Sequence, residues 1–135
     1  MGCDIHAHIE VEVDGQWQHY SAPSLKRRYC LFEKICGVRG DVSKAIAPPR
    51  GLPDDCSQIT KICANYDGSD GHSHTWLSKD EFLGLIHWME NLPCGEPYLW
   101  QYNELGYLNG DSFLCDGKSN APEFTDCRFI CWFDN

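Results

Sequence analysis

Alternation opens the chain. Cys3, Ile5, Ala7, Ile9, Val11 and Val13 interleave with Asp4, His6, His8, Glu10 and Glu12, the period-two pattern of a half-buried strand. Asp14-Gly15 is a hairpin signal, and the segment from Gln16 to Tyr20 supplies the returning strand. Ser21 to Ser24 reads as loop. Arg28 to Cys36 predicts a short helix stopped by Gly37. Residues 47–55 hold three prolines, which exclude helix and inner strand. Asp54 or Asp55 then caps a helix running to about Tyr66, with Cys56, Ile59 and Cys63 on one face. Asp67 to Thr75 predicts a glycine-rich loop or a short extended piece. Ser78 and Glu81 form a capping box for a helix to about Glu90, burying Phe82, Leu83, Leu85, Ile86 and Met89. Residues 91–125 are rich in Gly, Pro, Asn and aromatics without a firm period, and no element is assigned there. Thr125 to Asp134 alternates again and predicts a last strand.

These elements make an α+β fold. The N-terminal hairpin and the C-terminal strand form a small antiparallel sheet, about three helices pack on one of its faces, and the terminal strands are able to pair with each other. The whole of residues 1–135 fits a single domain of ordinary size.

Composition narrows the class. Apolar residues are 42% and charged residues 23%, a globular mixture that excludes disordered and fibrous chains. The net charge is −9, but it is uneven: residues 26–50 carry seven basic and two acidic groups, +5, and the remainder is −14. Duplex DNA is not an expected partner for that balance. The basic stretch suits a small anionic ligand or an acidic protein segment, or it is plain solvated surface. No apolar run is long enough for a membrane helix. The start is polar within four residues, so no secretion signal is expected and the cytosol is the expected compartment. Nine cysteines without a Cys-x-x-Cys pair read mostly as small buried hydrophobes in a reducing compartment.

The chemistry concentrates in a repeated pattern. Asp4-Ile5-His6-Ala7-His8 and Asp70-Gly71-His72-Ser73-His74 are both Asp-x-His-x-His. Residues two apart on a strand share a face, so Asp4, His6, His8 and Glu10 would form one row. Paired imidazoles with a carboxylate suit a divalent ion, zinc or manganese above all. If the second set folds over the first, Asp70, His72 and His74 complete one closed site or a two-metal site of the kind that hydrolyses phosphoesters. Glu10, on the same face, is the candidate general base. The competing reading makes His6 and His8 the solvent face of a strand, and His72 and His74 loop residues bonded to carbonyls. Arg50, in Pro-Pro-Arg-Gly-Leu-Pro-Asp-Asp, is a candidate phosphate holder; alternatively it pairs with Asp54 or Asp55 to pin its loop. Trp76 is a candidate for lining a pocket and stacking on a base.

The opening Met-Gly-Cys-Asp-Ile-His resembles a family of small bacteriophage and prophage proteins. So do Tyr29-Cys30-Leu31-Phe32, Pro49-Arg50-Gly51-Leu52-Pro53-Asp54-Asp55, the segment from Asp70 to Leu77, and the ending Arg128-Phe129-Ile130-Cys131-Trp132-Phe133-Asp134-Asn135. The resemblance implies a phage-type protein working in the bacterial host cytosol, and it supplies no activity. Aspartate with paired histidines also opens metal-dependent amidohydrolases, but those are large barrels, and no residue is carried over from them.

Three functions follow as expectations. The first is a metal-dependent hydrolase of a nucleotide or other phosphoester. The second is a non-catalytic counter-defence effector that binds a host defence protein or sequesters a nucleotide signal, for which the acidic surface suits a basic partner. The third is a structural zinc protein.

Overall fold

A computed structural model describes residues 2–25, 27–91 and 125–135. The unassigned segment of the sequence therefore falls almost entirely outside the described residues. The order of elements is β1 (Asp4–Val13), β2 (Gln16–Ser21), α1 (Tyr29–Cys36), α2 (Gln58–Asp67), β3 (Gly71–Ser78), α3 (Lys79–Glu90) and β4 (Asp126–Asp134). The four strands form one antiparallel sheet in the order β2-β1-β4-β3. The architecture is α+β, and no helix among the described residues is long and apolar enough to cross a membrane.

Local chemistry accounts for several boundaries. Asp14 and Gly15 turn the hairpin with φ of 52° and 78°, the two positive values that match strand twist at a two-residue turn. Gly37 ends α1 at φ 85°, and a Cβ there would lie 2.6 Å from the Val42 Cα. Ser78 and Glu81 form the capping box of α3 in both directions. The terminal strands do pair, with Asp4 opposite Asp134, His6 opposite Trp132 and Glu10 opposite Arg128.

The sheet buries both faces. On one face Ile5, Ala7 and Ile9 of β1 join Phe129, Cys131 and Phe133 of β4. Leu31, Phe32 and Ile35 of α1, with Phe82, Leu85 and Ile86 of α3, cover them. Each of these Ile, Leu and Phe side chains contributes roughly 1.5–3 kcal/mol by leaving water. On the other face Ile130 and Trp132 meet Cys56 and Ala64, with Leu52, Cys63 and Trp76 alongside. The helices thus lie on both faces, two on one and α2 on the other, where the sequence pattern placed all of them on one.

The helix α2 also differs in phase. It begins two or three residues late, capped by Ser57, whose side chain accepts from the Thr60 amide. Asp55 is not the cap, because its carboxylate is held by Arg128 at 2.9 Å. The shift buries Thr60 and Ala64 and leaves Ile59 about half exposed. Cysteine behaves as expected at most described positions. Cys3, Cys36, Cys56, Cys127 and Cys131 are buried and unpaired as thiols, whereas Cys30 is exposed. Burial pushes Cys36 and Cys127 up to about 11.

Candidate metal centre

The α2 face of the sheet carries the polar row of β1. His6 and His8 stack on the indole of Trp132 at 6.0 and 5.0 Å between ring centroids, and His74 stacks on it from β3 at 5.8 Å. Three imidazoles therefore gather around one tryptophan. Their roles diverge. The His8 Nδ1 atom lies 2.9 Å from His19 Nε2. Burial first, then the neighbouring His19, pushes His8 down to about 4. It is a neutral, enclosed ring at neutral pH.

His6 faces two carboxylates. Its Nε2 lies 2.6 Å from Asp134 Oδ2 and 3.7 Å from Asp67 Oδ2. Asp67 is the last residue of α2, and Asp134 the last of β4. One ligand atom from each of the three lies within 4.8 Å of the others, and the side chains are half-buried. Among the described residues this is the group that could hold a metal ion. The donor set of one imidazole and two carboxylates fits a borderline or hard divalent ion. Ligands about 2.0–2.2 Å from a tetrahedral ion stand roughly 3.3–3.6 Å apart. The His6–Asp67 separation matches that spacing. The His6–Asp134 hydrogen bond must open by about 0.8 Å to admit the ion. Trp132 Nε1 donates to Asp67 Oδ2 at 2.6 Å, the kind of outer contact that orients a ligand.

The sequence motif is only partly gathered here. Asp4 sits at the exposed end of β1 and pairs with Arg27 at 2.9 Å. Asp70 is exposed in the turn before β3. His72 bonds Ser73 at 3.0 Å and Asn135 at 3.3 Å. The reason is a bulge: β3 slips register between His72 and Thr75, with Ser73 at φ 55°. Two residues then oppose one. His72 lies beside Phe133, and His74 is carried to the Trp132 side. A period of two held for His6 and His8, and failed for the second pair.

Glu10 is enclosed as well. Its Oε1 accepts from Arg128 Nε and Nη2 at 3.1 and 2.8 Å, and its Oε2 from the Ser57 amide and the Thr60 hydroxyl, both at 2.8 Å. Burial alone would raise the carboxyl; the Ser57 and Arg128 bonds outweigh it and hold the group below its usual value. With both oxygens committed and no exposure, Glu10 ties α2 to the sheet and has no lone pair to offer a water.

Arg50 makes a bidentate pair with Glu81 at 2.6 and 2.7 Å and lies over the Trp76 ring at 4.9 Å. It pins its loop as the competing reading expected, through Glu81 and not Asp54 or Asp55. The guanidinium hydrogen bond holds Glu81 down to about 2. Trp76 accordingly meets a guanidinium instead of an open pocket.

An open groove of about 520 Å³, lined by Gly51, Leu52, Ala64, Asn65, Gly68 and His74, shares His74 with the imidazole cluster on Trp132. Gly68 directly follows Asp67. Burial lowers His74, and His72 adds to the effect.

Asp67 and Asp134 were missed by the sequence pattern. Pairing of the terminal strands would have found Asp134, since Arg128, Ile130, Trp132 and Asp134 continue the face opposite His6. Asp67 carried no comparable signal. No family model, curated protein or solved structure matches the chain.

Proposed function

We propose that the protein is a metal-dependent hydrolase of a small phosphoester such as a nucleotide, with its ion held by His6, Asp67 and Asp134. The observation that carries this reading is the convergence of those three donors, from three separate elements, beside an open groove. A divalent ion there would polarise a phosphoryl oxygen and acidify a bound water. Three protein ligands leave a position open for substrate or water. The remaining work falls to the chain itself. Trp132 keeps Asp67 oriented, and His74 presents a neutral imidazole to the groove. Glu10 and Arg128 hold α2 in place, so that Asp67 reaches the site from the helix end. A phage-type setting in the host cytosol is part of the same proposal and rests on the sequence resemblance alone.

The test is turnover. Purified protein loaded with Mn²⁺ or Zn²⁺ is offered a panel of mono-, di- and cyclic nucleotides, with phosphate or nucleoside release as the readout. Activity lost in Asp67→Asn and Asp134→Asn, with the melting curve unchanged, supports the reading. Tight nucleotide binding without turnover would move the protein to the sequestering class.

A further inference from the structure

We infer that the groove beside the metal centre is a subsite for a nucleobase, with Asn65 as the residue that reads it; this rests on the phosphoester reading above. The groove's volume of about 520 Å³ falls within the roughly 300–1,000 Å³ typical of small-molecule sites. Its walls are low: Gly51 and Gly68 bring no side chain, and a Cβ built on either would meet nothing within 4 Å. Leu52 and Ala64 supply apolar surface. Two side chains supply polar atoms, the Asn65 carboxamide and the His74 imidazole, and neither makes a side-chain hydrogen bond among the described residues. Among the described residues no cation lines the groove, so a phosphate gains nothing from them. An uncharged, flat group with both donors and acceptors on its edge does. A carboxamide offers one acceptor and two donors and so matches such an edge.

The walls are also fixed in advance. The Gly51 amide donates to the His74 carbonyl at 2.7 Å, and the Arg50 amide to the Thr75 hydroxyl at 3.2 Å. The Arg50–Glu81 pair anchors the same loop to the start of α3. The base would thus enter a site already formed, while its phosphate extends past Gly68 to the ion at Asp67. This geometry separates the two halves of the substrate between uncharged groove and charged centre.

The proposal is tested with free nucleosides, which lack phosphate and need no metal. Adenosine, guanosine, cytidine and uridine are titrated into ¹⁵N-labelled protein in EDTA, with ribose as the control. At least one nucleoside should shift the amides of Leu52, Asn65 and His74 while ribose does not. Asn65→Ala should weaken that binding roughly five- to ten-fold, the loss of one or two hydrogen bonds, and Asn65→Asp should change which base is preferred. Asn65 is exposed, so both variants should keep the wild-type spectrum elsewhere. No shift at these amides, or shifts indifferent to Asn65→Ala, would overturn the proposal. Nucleoside binding without metal binding leaves the subsite standing and removes the hydrolase. Metal binding and turnover without any nucleoside effect does the reverse.

Discussion

Glu10→Gln separates a structural carboxylate from a catalytic one. The side chain is fully buried and accepts four hydrogen bonds, two of them from Arg128. Glutamine keeps the shape but removes the charge. It also turns one acceptor into an NH₂ group that must face either Arg128 or the Ser57 and Thr60 donors. Arg128, itself only 8% exposed, then keeps Asp55, which is 67% exposed, as its anionic partner. Breaking a buried pair on one side costs roughly 3–5 kcal/mol, against a total stability of about 5–15 kcal/mol. At about 4 °C per kcal/mol for a chain of this length, the melting temperature should fall by roughly 12–20 °C. Circular dichroism melts, with guanidinium titrations as a second measure, read the change. A drop under about 4 °C would refute the reasoning. Loss of turnover at unchanged stability would return Glu10 to the role of general base.

Further outcomes follow from the same geometry. His8 sits near 4 in the fold against 6.5 when free, so its stabilising contribution is complete above pH 6.5 and is lost as pH falls towards 4. The loss reaches about 3 kcal/mol at most; urea midpoints taken in EDTA should show this limb, and His8→Gln should flatten it. Glu81, near 2 in the fold against 4.5 when free, acts lower: its contribution is present above pH 4.5 and disappears on the way to 2. Arg50→Met should shrink that acid limb to the part owed to the Ser78 bonds and cost about 1–2 kcal/mol at pH 7, a modest value because the pair is partly exposed. Gly37→Ala should destabilise by roughly 1–3 kcal/mol, since φ 85° is strained and the new Cβ meets Val42. A neutral result in thermal melts would mean α1 can end differently.

Much of the fold was legible because its signals are local. The alternation of β1, the Asp14-Gly15 turn and the Ser78–Glu81 box each act within a few residues. Tertiary competition decided the rest. Asp54 or Asp55 reads as the cap, yet Arg128, far away in sequence, takes the Asp55 carboxylate and Ser57 caps the helix. Asp67 to Thr75 reads as loop or a short extended piece because the bulge at Ser73 breaks the period of the strand that begins at Gly71. The site shows the same division. His6 was found, since one strand's alternation places it on the polar face. Its partners at the ends of α2 and β4 meet it only after the strands pair and α2 crosses the sheet. The second Asp-x-His-x-His looked equivalent to the first, yet the bulge delivers His74 alone to the Trp132 cluster.

The ion itself can be located by anomalous diffraction at the zinc edge, from crystals grown with Zn²⁺. One peak is expected within about 2.0–2.2 Å of His6 Nε2 and of a carboxylate oxygen from each of Asp67 and Asp134. A map with no density between those three groups, and zinc seated elsewhere or nowhere, would contradict the metal centre.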